Sequence, residues 1–483
     1  MNKVFVTCLP AGVVGVLQRR ASTQPDREAY AFVAEDGRRC VYTYQELDRR
    51  ARAVAARLQA SGAFNERVLV LYPPGLSYLV AFFACFYAGA VAVPAYPPHH
   101  SRNMLRLGAI AADAEPRIAL APRQTQRWLQ SLNTGKPDSE IILLDVDDIN
   151  DSEPGWKEPP FEPNSLAFIQ YTSGSTGSPR GVMLTHENLI HNSTLIQKVF
   201  AYDENAHCVS WLPAYHDMGL IGGVLQPLFG GYPCTMMSPA SFLRCPVRWL
   251  EEISRHQNVI SGGPDFAYRF CTEKISCEER QGLNLSGWRV AFTGAEPVRP
   301  DTLRRFADAF AGSGFRAEAF LPCYGLAEAT LMVSGGKSPG PATLKQVNAS
   351  DLESHRWIDD QPVGNRRVLV SCGSIPEQQL EIVHPDCMLR CGTDEIGEIW
   401  LRGGSVARGY WRRPNETAET FGACLADTGE GPFLRTGDLG IVRDGALFIT
   451  GRLKDLIIIR GRNLYPEDIE ATVESAHDLL RSR

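Results

Sequence analysis

Apolar and polar residues alternate along this chain in two rhythms, one helical and one strand-like. In YTYQELDRRARAVAARLQASG (42–62) alanine, valine and leucine recur at helical spacing, and Gly62 suits a helix end. RVLVLYPPG (67–75) then reads as a short buried strand entering a Pro-Pro-Gly turn. MLRLGAIAADAEP followed by RIALAP repeats the helix-to-strand step, and IILLDV adds another strand. The opening MNKVFVTCLPAGVVGVLQRR is broken by Pro10 and Gly12 and reads as a cap and first helix. Strands alternating with helices predict an α/β fold with mostly parallel sheets.

A proline-rich connector, DSEPGWKEPPFEPNS, separates this region from LAFIQYT, the loop SGSTGSPRG, GVML and the helical THENLIHNSTLIQKVF. Alternation resumes over 205–340. Beyond about 365 the style changes: VLVSCG, QLEIV, GEIWLRG and ALFITG are short alternating strands, as in a small β-barrel or sheet.

One run threatens this picture. YLVAFFACFYAGAVAVPAY (78–96) carries no charge over 19 positions, long enough to cross a bilayer. Gly89 and Pro94 divide it into a helical half and a short buried strand, so no membrane span is expected. Net charge is −6, which gives no electrostatic case for nucleic acid. The 13 cysteines, odd in number and scattered, suggest reduced thiols and a cytoplasmic protein. No cysteine pair has the spacing and histidine companions of a zinc site.

The stretch YTSGSTGSPRG (171–181) has the chemistry of an anion cradle. Its glycines permit close backbone approach, its hydroxyls and N–H groups donate, and Arg180 adds a two-pronged charge. It is not a Walker A loop, because it ends in Pro-Arg-Gly and feeds a strand. On composition alone a flexible surface turn stays open. Four segments accompany it: WLPAYHDMGLIGG with His216 and Asp217, AFTGAEP, LPCYGLAEAT with Tyr324 and Glu328, and LRTGDLG, which places Asp438 at a strand-to-turn step.

Together and in this order the five motifs resemble the adenylate-forming enzymes: acyl-CoA synthetases, nonribosomal peptide adenylation domains and luciferases. Arg180 stands where that family usually has lysine. The phrasing of 72–98, 210–223, 262–271, 369–385 and 397–421, and extra chain at 336–357, resemble the fatty acyl-AMP ligases.

The resemblance implies a large N-terminal domain over 1–452, with two α/β subdomains (about 1–200 and 201–365) and a β-barrel subdomain (366–452). The start of a small α+β domain would follow over 453–483. It implies ATP and Mg²⁺, with acyl transfer to the phosphopantetheine of an acyl carrier protein or of a polyketide or nonribosomal peptide synthase carrier domain. The alternatives are a fatty acyl-CoA synthetase and a weakly catalytic nucleotide-binding form. Thr172, Ser173, Gly174, Ser175, Thr176 and Gly177 would cradle the β- and γ-phosphates with Arg180. Gly294, Ala295, Glu296, Tyr324 and Gly325 would hold adenine, Asp438 the ribose, Glu328 the metal, and Arg452 the nucleotide from the domain junction. His216 would sit beside the reacting carboxylate. Asp217, Met218, Ile221, Gly222, Pro264, Phe266 and Ala267 are candidates for the acyl tail, and Lys454 for the hinge. About 30 residues follow Lys454, so the family's adenylation lysine is expected beyond this sequence, the adenylation rate to be low, and the LIII strand to be unpaired.

Overall fold

The computed structural model describes residues 12–97, 101–125, 141–150, 155–160, 162–172, 179–336, 342–358, 366–374 and 378–459, with 462–464 and a few positions up to 476. The chain forms two compact units. The first comprises Met1–Lys198, Tyr202–Val259 and Ala407–Pro414; the second comprises Val199–Ala201, Ile260–Val406 and Asn415–Arg483.

The first unit contains a six-stranded sheet in the order Ile142–Leu144, Ile118–Leu120, Arg67–Val70, Val91–Pro94, Leu166–Thr172, Arg180–Thr185. Its neighbours are parallel except for the last pair, which is antiparallel. Strands His207–Ser210, Cys234–Met237 and Glu28–Val33 form a second parallel set, edged by antiparallel Arg39–Thr43. Residues 28–33 thus pair with residues 234–237, so a division near residue 200 would cut through this sheet.

The charge-free run is helix Leu76–Ala88 followed by strand Val91–Pro94. Its apolarity has a packing cause. Phe82 meets Phe168 of the six-stranded sheet, and Phe83 meets Tyr30 of the other. The helix lies between two sheets and needs apolar residues all round. Burying each phenylalanine contributes about 1.5–3 kcal/mol. Among the described residues no helix is long and apolar enough to cross a membrane. Helix Tyr44–Ala60 begins at a capping box: Thr43 accepts from the Glu46 N–H while Glu46 accepts from the Thr43 N–H.

In the second unit, Trp288–Thr293 runs parallel to Phe320–Gly325, which pairs antiparallel with Met332–Gly335. Three of the late short strands, Gln379–Val383, Gly397–Arg402 and Ala446–Arg452, join Leu434–Arg443 in a four-stranded antiparallel sheet; VLVSCG lies outside it. The extra chain at 336–357 supplies strand Leu344–Asn348, paired with Arg366–Val370, and buries Trp357 in one cluster with Leu439, Ile441 and Phe448. The apolar strand Ile457–Ile459 is not unpaired; it forms a hairpin with Arg462–Leu464.

Candidate functional site

In the first unit the loop's flanks are fixed. Thr172 and Arg180 are register partners at the ends of two antiparallel strands. Ser173, Gly174, Ser175, Thr176 and Gly177 between them lie outside the described residues. The strand leaving the loop is held by a segment more than 200 residues away. Gly409 O accepts from Met183 N–H at 2.9 Å, and Gly181 O accepts from Trp411 N–H at 2.7 Å. The Arg180 guanidinium lies over the Tyr410 ring at 5.3 Å, a cation–π contact that suits a delocalised planar cation.

His216 ends a tight turn that two buried side chains clamp. Tyr78 Oη donates to Ala214 O at 2.6 Å, and Gln170 Nε2 donates to Tyr215 O at 2.9 Å. Gln170 belongs to the strand that leads into the phosphate loop. His216 Nδ1 meets Asp217 Oδ1 at 2.6 Å, with the imidazole 56% exposed and the carboxylate 14%. The Asp217 hydrogen bond raises the His216 pKa above its ordinary value, against the opposing effect of burial.

The sequence reading grouped Asp217 with the acyl-lining residues. Its carboxylate instead faces His216 and accepts from Met218 N–H at 2.7 Å. A charged acceptor bound to its own turn has no reason to line an apolar channel. Met218–Leu225 is a stretch of π-helix, a widened turn often found at functional sites. Met218 and Ile221 are buried and Gly222 is half-buried. Gly219 is obligatory, since a Cβ there would lie 2.2 Å from Pro213 O.

A pH dependence follows from the His216–Asp217 pair. A histidine with a raised pKa keeps its proton to higher pH and loses it as pH rises through that value. If imidazolium attracts the carboxylate substrate, KM for the acid should rise across that transition. Asp217→Asn should move the inflection to lower pH, because the burial effect then stands without its counterweight. Profiles of kcat/KM against pH for both proteins check this; coincident inflections would contradict it.

In the second unit, Pro264 precedes helix Asp265–Lys274, which places Phe266 half-buried and Ala267 fully buried. The Phe266 N–H donates to Glu296 Oε1 at 2.6 Å. Glu296 therefore ties the Gly294–Glu296 corner to that helix, and burial pushes its carboxyl pKa up. Gly294 lies so close to the next strand that a Cβ would fall 2.6 Å from Cys323 O. Ala295 adopts the left-handed region at φ +66.

The tightest cluster joins Tyr324, Asp438 and Arg452. Tyr324 Oη donates to Asp438 Oδ2 at 2.7 Å, and Arg452 Nε donates to Asp438 Oδ1 at 2.8 Å. Burial and then the adjacent Asp438 charge hold Tyr324 well above the ordinary phenol pKa, so the hydroxyl remains a donor. Asp438 is not at a strand-to-turn step. It lies inside strand Leu434–Arg443, opposite Arg452 in register. What resembled a turn is a bulge at Gly437, φ +71.

Glu328 lies half-buried in a single 3₁₀ turn, Ala327–Ala329. The next residue, Thr330, sits at φ +69, ψ −66, with Leu331 N–H bonded to Ala329 O at 2.9 Å. This γ-turn is costly for a β-branched residue, about 1–3 kcal/mol. It is fixed by Thr330 Oγ1 donating to Ser405 O at 2.6 Å. Gly325 is also obligatory, since a Cβ there would fall 1.7 Å from Leu331 O. Lys454 follows in a turn in which Leu453 N–H donates to Gly437 O at 2.8 Å.

Known proteins resemble this chain in sequence and fold. A family model described as AMP-binding enzyme matches residues 17–411. JamA of Moorena producens, a medium-chain-fatty-acid–acyl-carrier-protein ligase, is 45% identical over 484 residues, covering 97% of this chain and 81% of that protein. TtuA of Teredinibacter turnerae, of the same description, is 36% identical and covers 98% and 81%. A Legionella pneumophila fatty acyl-adenylate ligase, solved with acyl adenylate and pyrophosphate, superposes with TM-score 0.87 at 40% identity, covering 99% and 83%. An adenylation domain that selects keto acids shares the fold at 23% identity and TM-score 0.82.

The sequence does not single out Gln170, Tyr78, Tyr410 or Glu398, whose carboxylate accepts from Gly437 N–H at 3.1 Å in the bulge beside Asp438. Only Glu398 left a local signal: a carboxylate at a position of GEIWLRG that shares its strand face with Trp400.

Proposed function

The chain belongs to the family of AMP-binding enzymes, and from this we propose that it activates fatty acids with ATP and passes the acyl group to a carrier-protein thiol. The fatty carboxylate attacks the α-phosphorus; a P–O bond forms to the acid, and the bond to the β-phosphate oxygen breaks as pyrophosphate leaves. The carrier's thiolate then attacks the acyl carbon and expels AMP. Neither step asks a side chain to form a covalent bond, so catalysis is positioning and charge neutralisation.

The residues divide accordingly. Thr172, Ser173, Gly174, Ser175, Thr176, Gly177 and Arg180 receive the departing phosphates, and His216, held by Asp217, faces the carboxylate. Met218, Ile221, Gly222, Pro264, Phe266 and Ala267 border the acyl chain. Gly294, Ala295, Glu296 and Gly325 edge the adenine, and Tyr324 stacks on it. Asp438 accepts the ribose hydroxyls, Arg452 supports it, and Lys454 turns the chain beyond it.

The observation that carries this reading is the Asp438 cluster. An ionised carboxylate has about four acceptor sites. Tyr324 and Arg452 take two of them, which leaves two on a fixed carboxylate for a pair of vicinal hydroxyls. Glu328 suits Mg²⁺, which is ordinarily held by one or two carboxylates plus phosphate oxygens. When bound, the ion would neutralise phosphate charge. The described cysteines are free thiols, which supports a cytoplasmic setting. The test is the product pair: incubation with ATP and a saturated fatty acid should yield acyl-adenylate and pyrophosphate, strictly dependent on the acid, with AMP released when holo carrier protein is added.

A further inference from the structure

Glu398 is 2% exposed, and its carboxylate accepts three hydrogen bonds and forms an ion pair with Arg435. Oε2 accepts from Trp400 Nε1 at 2.9 Å and Arg435 Nε at 2.9 Å, and pairs ionically with Arg435 Nη2 at 2.7 Å. Oε1 accepts from Gly437 N–H at 3.1 Å. That last donor is the middle of the bulge. Glu398 pairs with Leu439 and Trp400 pairs with Arg435, so Thr436, Gly437 and Asp438 together face Ile399 alone. Thr436 Oγ1 donates to Ile399 O at 2.8 Å, and Asp438 N–H donates to Thr436 Oγ1 at 3.1 Å. Gly437 O accepts from Leu453 N–H.

We infer that Glu398 is a positioning residue for nucleotide selection: it holds the Gly437 peptide, and the bulge so fixed sets Asp438 to read ribose hydroxyls. The inference rests on the proposed role of Asp438. A buried carboxylate is costly unless its lone pairs are satisfied. Here Trp400 and Arg435 anchor one oxygen to the sheet, while the other is spent on a single backbone N–H one residue before Asp438. An ordinary β-ladder would leave that N–H to the neighbouring strand. The bulge removes that partner, and Glu398 replaces it.

The chemistry of the substitution is specific. In Glu398→Gln the amide oxygen faces the donors of Trp400 and Arg435, which turns the amide NH₂ against Gly437 N–H, donor to donor. Glu398→Asp keeps the charge beside Arg435 but falls one methylene short of Gly437. Trp400→Phe removes a donor from the same network and leaves the Gly437 contact in place.

The experiment is calorimetric titration of ATP and of 2′,3′-dideoxy-ATP into the whole chain and each variant, with thermal melting to confirm folding. The unmodified protein should prefer ATP by roughly 100-fold, as two hydrogen bonds to a charged group imply. Glu398→Gln and Glu398→Asp should each reduce that ratio at least about tenfold, while Trp400→Phe should leave it unchanged. If the unmodified protein does not discriminate, the ribose reading itself fails and the inference with it. If Asp438→Ala abolishes discrimination but both Glu398 variants retain it, the ribose reading stands and the inference is overturned. An equal fall in Trp400→Phe would also overturn it, since the loss would then belong to the sheet and not to the Gly437 contact.

Discussion

Asp438→Ala should lower kcat/KM for ATP by about 100-fold or more, while the protein loses only about 1–3 kcal/mol of stability. The two effects have different sources. On the proposed ribose role, activity falls because two charge-assisted hydrogen bonds are lost, each worth about 1.5–3 kcal/mol. Stability falls because the Tyr324 hydroxyl loses its acceptor inside the second unit. Arg452 adds little to that loss, because its side chain is 60% exposed and water can take the place of the carboxylate. Steady-state kinetics and thermal melting separate the two. A variant with near-normal KM for ATP would remove Asp438 from the nucleotide site.

The second large effect concerns the acceptor. The holo carrier protein should accept the acyl group at least about 100-fold more efficiently than free coenzyme A, roughly 2.7 kcal/mol in transition-state terms. The basis is the extra chain at 336–357. It is an integral part of the second unit: Leu344–Asn348 pairs with Arg366–Val370, and Trp357 is 1% exposed. Its anchor shares a buried cluster with Leu439 and Ile441, on the strand that carries Asp438. Such a segment is too well packed to be a neutral surface insertion, and its counterpart in the resemblance distinguishes acyl-AMP ligases from acyl-CoA synthetases. Transfer rates with the two thiols, at matched concentration, check this. Comparable rates would return the chain to the synthetase class.

What the sequence disclosed was local. Helical spacing over 42–62 marked the helix that runs from Tyr44 to Ala60, and Gly89 with Pro94 divided the charge-free run correctly. Strand Ile142–Leu144 was legible too, though it is three residues long and yields to a turn at Val146–Asp148. The motifs carrying Tyr324, Glu328 and Asp438 were legible because their residue types are chemical.

What was hidden depends on partners far along the chain. Glu28–Val33 needs residues 234–237 to become a central strand, and nothing in EAYAFV names that partner. The Asp438 bulge looks like a turn in RTGD because its support comes from Glu398 and Ile399, about 40 residues earlier. The brace on Arg180 comes from Tyr410, and the clamp on His216 from Tyr78 and Gln170. Asp217 was misread for the opposite reason. Its partner is its immediate neighbour, a contact that periodicity cannot distinguish from an outward side chain.

The most direct test of the account is mass-spectrometric identification of the products formed from ATP, a saturated fatty acid and this chain. Acyl-adenylate and pyrophosphate should form in equal amounts, with the acyl group moving to holo carrier protein when it is added. Release of ADP and phosphate, or nucleotide turnover indifferent to the fatty acid, would contradict it.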